Sequence, residues 1–379
     1  MNFISNWFQR RFSDPQVIIL ASLVIFGSVV IIIMGNMLAP VLASIVLAYL
    51  LEGLVNFLEQ RKVPFLEQRK VPRLVAVLLV FMTFVIFVLF LLLKLFPLLW
   101  TQVGQLFQEL PSMVSWSQRE LMRLPERYPD LISEQQVMDI IDLLRSEIAT
   151  VGQRVLSISV ASVRGIISIL VYIFLVPLLV FFFLKDKDGV LRWFTRFLPA
   201  DRTLATEVWQ EVDQQIGNYV RGKFWEILIV WAASYVTFAI LGLQFAMLIS
   251  LFVGLSVLIP YIGAVLMVIP VALIGYFQWG LGSDLAYAVA AYVLIQILDG
   301  NVLVTLLFSE VVNIHPVAII VAVLVFGGLW GFWGVFFAIP LATLVHAIIK
   351  ALARRSTKDS AASKEGAAAE TTQPDAVKA

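Results

Sequence analysis

The chain has 379 residues, of which 60% are hydrophobic and only 14% charged, and its mean hydropathy is +0.93. Soluble globular proteins carry about 25% charged residues, so the composition excludes an ordinary water-soluble fold. It predicts an all-α, polytopic membrane protein with the lipid bilayer as its solvent. The formal net charge of +1 offers no bulk attraction for nucleic acid, and the absence of cysteine excludes thiolate metal sites and a cysteine nucleophile.

Stretches free of charged residues predict where the helices cross the membrane. Each crossing needs about 20 apolar residues, and turn residues such as Gly35 and Asn36 divide the longest stretches. We predict about eight transmembrane helices, at residues 17–34, 37–51, 74–93, 157–184, 224–241, 245–277, 285–307 and 317–349.

Basic residues predict the orientation, because they concentrate in cytoplasmic loops. They cluster before the first predicted span and after the second, fourth and eighth, whereas residues 100–156 are net negative. With eight spans, both termini are cytoplasmic. Residues 100–156 then form a small extracytoplasmic lobe of amphipathic helices, broken at Pro111, Pro125 and Pro129.

Five segments follow from this organisation. They are the first three transmembrane helices (1–99), the lobe (100–156), the fourth helix with a cytoplasmic amphipathic stretch (157–223), a C-terminal transmembrane core (224–350) and a disordered tail (351–379). In the amphipathic stretch, Trp209, Ile216 and Val220 are predicted to lie on the membrane surface. An eight-residue tandem repeat at 57–72 lengthens one loop and has no evident chemistry.

One predicted helix of the core, at 245–277, carries helix-breaking residues in the middle of an apolar run. They are Gly254, Pro260, Gly263 and Pro270, with Tyr261 beside the first proline. A proline inside a spanning helix frees a backbone carbonyl, which is tolerated where protein or a water-filled cavity satisfies it. Transporters build substrate sites from such broken helices; a simple packing kink is the alternative.

The last predicted span is rich in glycine. Gly327, Gly328, Gly331 and Gly334 recur at spacings that put them on one face of a helix, ahead of Pro340. Small residues on one face allow close approach of helices. We therefore predict a packing surface there, with a hinge as the alternative. The run from Gly263 to Pro270 also weakly resembles that from Gly334 to Pro340.

Asp299 is the strongest candidate for a functional side chain, because it lies among apolar residues fifteen positions into its predicted span. Ionisable groups at membrane depth are costly and usually face a cavity, an ion or a partner. If Gly300 ends the helix, Asp299 instead lies in a wet loop. Asn301 and Glu310 complete the predicted pathway, whereas Glu52 and Glu226 are predicted to reach the membrane surface from span ends.

Enzyme chemistry is not supported by the motifs. The two histidines, His315 and His346, are far apart, so a zinc-binding HExxH motif is excluded. The sequence contains no GxSxG nucleophile motif and no complete Walker motif. We predict no enzyme activity, no cofactor and no metal site.

Several motifs together resemble the AI-2E family of bacterial transporters, and within it the PerM group of permeases. They are residues 253–263, Asp299-Gly300-Asn301, His315-Pro316, Phe326-Gly327-Gly328 and residues 338–341, with residues 11–15 and 182–187 in the N-terminal half. The resemblance covers about residues 10–350. It implies a homo-oligomeric secondary transporter of the bacterial inner membrane that carries a small molecule or an ion, and it does not fix the substrate.

Two functions are therefore expected. The first is secondary transport of a small solute by alternating access around the broken helix and Asp299, which would carry a coupling proton or ion. The second is a membrane scaffold or partner-binding protein of envelope maintenance or cell division, which would depend on the lobe at 100–156.

Overall fold

The computed structural model describes residues 15–60, 71–122, 163–196, 203–308 and 315–346, with scattered positions at 133–150 and residue 348. Every regular element in these ranges is helical, which confirms the predicted all-α class. We number the helices α1 Pro15–Gln60, α2 Arg73–Phe90, α3 Phe96–Leu121, α4 Val163–Lys185, α5 Lys187–Thr195, α6 Thr203–Ile240, α7 Ala246–Ser256, α8 Ile262–Trp279, α9 Ser283–Leu298, α10 Val304–Phe308 and α11 Pro316–Phe336.

Six of the helical stretches in the described ranges are long and apolar enough to cross a bilayer. Three further apolar helices are shorter: Ile25–Gly35, Val171–Lys185 and Ala246–Ser256. A polytopic membrane protein is therefore confirmed, whereas the predicted count of eight spans is not.

The first two predicted spans form one helix. α1 contains 46 residues and passes through Gly35, Asn36 and Pro40 without interruption. The predicted break at Gly35-Asn36 is wrong, because one glycine inside a helix costs only about 1 kcal/mol and Met34, Met37, Leu38 and Ala39 around it are strong helix formers.

Helices α2 and α3 are also continuous, joined by a π-helical turn at Leu91–Leu95. Pro111 lies inside α3 and does not end it, so the predicted helix break at Pro111 is wrong. Pro125 and Pro129 lie outside the described residues. The apolar side of α3 packs against the core of the C-terminal half through Leu99, Val103, Leu106 and Met113.

Helix α6 runs for 38 residues from Thr203 to Ile240, across the predicted junction of amphipathic stretch and span. Its inner side is buried, and Val220 is only 3% exposed. Val220 and Ile216 pack against Phe308 and Ile319 rather than facing the membrane surface, so their predicted position is wrong. Trp209 is exposed, and its position on the membrane surface stays a prediction. We call the side where α6 begins the lower face and the side where it ends the upper face.

The predicted broken helix is a hairpin, which we call hairpin 1 (α7, residues 257–261 and α8). The chain reverses in the turn, because Gly263 lies directly against the carbonyl group of Ser256. At the open end, the Gln278 amide accepts from the Gln244 N–H (2.7 Å) and donates to the Gly242 carbonyl (2.7 Å), beside the end of α6. Hairpin 1 therefore opens at the upper face. α7 has 11 residues, or about 16 Å, too short to cross a bilayer.

The last predicted span is a second hairpin, which we call hairpin 2 (residues 316–346). Gly331 has non-helical angles (φ 58°, ψ −134°), and Gly334 lies against the carbonyl group of Phe326. The predicted single face of Gly327, Gly328, Gly331 and Gly334 is therefore wrong, because these glycines form and flank a turn. Leu344 and Ile348 pack against Val208 and Val212 at the start of α6, so hairpin 2 opens at the lower face.

A network of charged side chains ties the N-terminal helices to α6 at the lower face. Arg73 pairs with Glu52 (3.3 Å), and Lys187 lies 4.0 Å from Glu52 and 3.9 Å from Asp213. The Tyr49 hydroxyl donates to Asp213 Oδ1 at 2.5 Å. Glu52 thus joins three helices instead of simply reaching the membrane surface, and Arg73 and Lys187 share one face of the protein.

Candidate functional site

The two hairpins meet inside the protein. Leu258, in the turn of hairpin 1, packs with Ile319, Phe336 and Ile339 of hairpin 2. Ile259 packs against Ala322, Val323 and Ala338 of the same hairpin. Two hairpins that open at opposite faces thus meet in the interior, against the buried side of α6.

A buried ion pair lies on α6 at the level of this contact. Lys223 is 4% exposed and Glu226 is 2% exposed, and Lys223 Nζ lies 2.6 Å from Glu226 Oε2 in an ion pair that is not well aligned as a hydrogen bond. The Lys223 ammonium also donates to the carbonyl oxygen of Val257, at 2.9 Å. It therefore links α6 directly to the turn of hairpin 1.

Phe308 completes the surroundings of the ammonium. Its ring centroid lies 5.4 Å from Lys223 Nζ, a cation–π arrangement. The ring also packs against Gly222, where a Cβ atom would come within 2.7 Å of it. Gly222 thus provides the space that brings α10 against α6 beside Lys223.

Asp299 belongs to the same cluster. It is 7% exposed and begins a π-helical turn, Asp299–Leu303, that interrupts the helix between α9 and α10. Its Oδ1 atom is buried without a hydrogen-bond partner among the described residues, and the carboxyl group lies within electrostatic range of Glu226 and Lys223. Single π turns often occur at functional sites. Gly300 does not end the helix, so Asp299 does not lie in a wet loop.

The turn of hairpin 1 holds an unusual backbone. Tyr261 has φ 63° and ψ −48°, a region that bulky residues rarely adopt. Nearby, the Pro260 carbonyl accepts from the Ile262 N–H (2.7 Å) and the Ile259 carbonyl from the Gly263 N–H (2.9 Å). Such backbone strain is often found at functional sites. The predicted residues Pro260, Tyr261 and Gly263 thus form the turn that packs beside Lys223.

Other predicted residues are placed differently. Asn301 is exposed, and its amide donates to the Ile297 carbonyl of its own helix (2.8 Å), so it does not join the buried cluster. Glu310 lies outside the described residues. Gly254 allows α7 to approach α6, because a Cβ there would come within 2.7 Å of Trp231 Cβ. Pro270 lies within α8, and Pro340 is buried in the second arm of hairpin 2.

Lys223 and Glu226 are the site residues that the sequence patterns did not reveal. Glu226 was predicted to reach the membrane surface from a span end; this is wrong, because α6 begins 23 residues earlier and places it in the interior. Residues 217–223 match all but the final Ser or Thr of a Walker motif. The match does not indicate a phosphate-binding loop, because the whole run is helical.

These features define a class: a polytopic membrane protein with two opposed hairpins and a buried charge cluster where they meet. The family model described as AI-2E family transporter matches residues 18–354. The chain therefore belongs to the AI-2E family of transporters, as its motifs indicated.

Curated relatives agree with this assignment. The chain is 43% identical over 351 residues to "Putative permease PerM" of Escherichia coli strain K12, covering 93% of this chain and 97% of the relative. It is 26% identical over 285 residues to "Putative transport protein YueF" of Bacillus subtilis strain 168, covering 74% and 75%. It is 24% identical over 201 residues to "Putative transport protein YrrI" of the same strain, covering 53% and 56%.

Proposed function

We propose that this protein is a secondary transporter that carries a small solute across the bacterial inner membrane by alternating access. The observation that supports this most is the meeting of hairpins 1 and 2 beside Lys223, Glu226 and Asp299. Half-length helices leave backbone ends at membrane depth, which is tolerated only where protein or an aqueous cavity satisfies them. Inverted half-helices around a central site are a recurring transporter architecture.

The opposed openings suggest how access alternates. Hairpin 1 opens at the upper face and hairpin 2 at the lower face, so displacement of either one exposes the interior cluster to a different side. Asp299 is the residue that carries a coupling proton or ion in this mechanism, because its buried Oδ1 atom has no hydrogen-bond partner among the residues that the structure describes.

The proposal includes an orientation. The lower face carries Arg73, Lys185 and Lys187, and basic residues favour the cytoplasmic side. We therefore assign the lower face and both termini to the cytoplasm, and α3 to the extracytoplasmic side. We also propose that the protein is a homo-oligomer, as its resemblance to the family implies.

The deciding experiment is a flux screen. The purified protein is reconstituted into proteoliposomes and candidate solutes are tested with and without imposed proton and sodium gradients. Saturable, protein-dependent flux is expected for at least one solute class. The scaffold alternative instead predicts no flux for any solute, and a cellular phenotype that depends on residues 100–156.

A further inference from the structure

We propose that the Lys223 ammonium is a built-in monovalent cation, which fills a cation position formed by Glu226 and the Val257 carbonyl, with the buried Asp299 carboxyl group as a further negative charge of the same cluster. Removing the side chain should convert this position into a binding site for ammonium or an alkali cation. The inference deepens the proposed function and rests on it for the role in transport. The cation position itself rests on the geometry.

The oxygen atoms around Lys223 are those that a monovalent cation prefers. Glu226 Oε2 lies 2.6 Å from Nζ and the Val257 carbonyl oxygen 2.9 Å from it. Val257 is the C-terminal cap of α7, where the helix dipole is negative and carbonyl groups lack partners from the helix itself. In transporters with interrupted helices, such carbonyl groups coordinate coupling ions.

Asp299 provides an independent indication that the position suits a cation. It is more than nine-tenths buried, and its Oδ1 atom has no hydrogen-bond partner in the described part of the chain. Two tyrosine hydroxyls nearby already have hydrogen-bond partners. The Tyr219 hydroxyl donates to the Phe336 carbonyl (2.9 Å) and the Tyr292 hydroxyl to the Ala264 carbonyl (2.5 Å). Two buried carboxyl groups, those of Glu226 and Asp299, thus lie within electrostatic range of one ammonium.

Charge balance explains why the ammonium is replaceable by a free ion. Loss of the Lys223 side chain removes the ammonium that balances Glu226 and Asp299. A buried carboxylate without a partner is strongly destabilising. The deleted side chain also leaves space beside the Phe308 ring, which can face a free cation as it faces the ammonium. A cation that enters the vacancy stabilises the folded variant by mass action.

The test compares the melting temperatures of the wild type, Lys223→Ala and the control Lys185→Ala in detergent. Lys185 is exposed and its pairing partner is the equally exposed Asp186. Each protein is titrated with ammonium, methylammonium, sodium or potassium chloride against choline chloride, at constant ionic strength. Choline is the matched control, because it carries the same charge and is too large for the vacancy.

The expected result is a lower melting temperature for Lys223→Ala in choline, and a rise of at least about 3 °C in one of the small cations at saturation. The wild type and Lys185→Ala should not respond. Stabilisation of the wild type by sodium or potassium over choline would overturn the inference, since the position would not be filled. So would a folded Lys223→Ala that ignores every small cation.

A second variant and a flux measurement complete the test. If Lys223→Ala does not yield folded protein, Lys223→Ser replaces it, and the wild-type titration decides alone if both fail. The melting assay needs no transport activity, so its result is separate from that of the flux screen. Where flux is measurable, Lys223→Ala should require the rescuing cation, whereas the wild type should transport in choline.

Discussion

Gly334 packs against the carbonyl group of Phe326, and this contact has a counterpart between Gly263 and Ser256 in hairpin 1. In both hairpins, the glycine follows the turn and lies against the last part of the first arm. A proline comes later in the second arm, at Pro270 and Pro340 respectively. The faint sequence similarity between these two regions therefore corresponds to two elements of the same construction that enter from opposite faces.

The reversal in hairpin 2 predicts a disulfide. A Cβ atom at Gly327 would lie 2.8 Å from Val335 Cγ2, whereas in a straight helix these residues would be about 12 Å apart. The double variant Gly327→Cys/Val335→Cys should therefore oxidise readily, measured as loss of maleimide labelling that dithiothreitol restores. The natural chain has no cysteine, so there is no background. In the control Gly328→Cys/Val335→Cys, labelling should persist, because Gly328 faces open space.

Alanine at either turn glycine should destabilise the protein. A Cβ at Gly263 or Gly334 would collide with backbone, which cannot move as a flexible side chain does. We expect each of Gly263→Ala and Gly334→Ala to cost about 1–3 kcal/mol, seen as a lower melting temperature in detergent. Gly104→Ala is the control: its Cβ meets nothing within 4 Å in α3, so it should be neutral or stabilising. Equal stability of all three variants would argue against the tight turns.

Replacement of Asp299 by asparagine should abolish solute flux and leave membrane insertion intact. The amide has the size of the carboxyl group but cannot carry a proton or pair with a cation. The measurement is flux in proteoliposomes for a solute identified by the screen, with the amount of inserted protein as the reference. Asn301→Ala serves as the control, because Asn301 is exposed and bonds only to its own helix. Full flux in Asp299→Asn would remove Asp299 from the mechanism.

Replacing Glu226 alone should lower the free energy of unfolding more than replacing both members of the buried ion pair. Glu226→Gln removes the carboxylate in direct contact with the Lys223 ammonium and leaves only Asp299 of the cluster to balance it; breaking a buried pair typically costs about 3–5 kcal/mol. The double variant Lys223→Met/Glu226→Gln removes the ammonium as well and should recover part of the loss. Melting temperatures of the four proteins in a double-mutant cycle give the coupling. A lower melting temperature for the double variant than for Glu226→Gln would contradict this prediction, because removing the ammonium would then not have recovered any stability.

Gln102 should couple α3 to hairpin 1. Its side-chain carbonyl accepts from the Leu248 N–H at 2.9 Å, and Trp116 packs edge-on against Tyr276, with ring centroids 4.8 Å apart. Gln102→Leu leaves that N–H of the first turn of α7 without its partner, so we expect a loss of about 1–3 kcal/mol. The control is the exposed Gln105→Leu. Hydrogen exchange at Leu248 measures the local effect and should rise in the first variant alone.

Much of the fold could be predicted from the sequence, because apolar runs report immersion in lipid directly. The interruption at Pro260–Gly263 was also predictable, since proline and glycine mark it locally. By contrast, the glycines of hairpin 2 fit both a helical face and a turn. The difference lies in the backbone angles of Gly331, which the sequence spacing does not determine.

The candidate site was only partly predictable for a related reason. Asp299 stands out because it is isolated among apolar residues. Lys223 and Glu226 lie where a polar stretch gives way to an apolar one, so their burial depends on how far α6 extends below them and on what packs there. Long-range packing of Phe308 and Leu258 places this junction in the interior, and no local pattern reports such packing.

The short first arm of hairpin 1 has a consequence for biogenesis. An apolar helix of 11 residues is too short to be released into lipid as an independent span, and its terminal backbone groups would remain unsatisfied there. α7 packs against α6, α3 and α8 in the folded protein. We therefore expect its stable insertion to follow the synthesis of α8, the neighbour that comes after it in the chain.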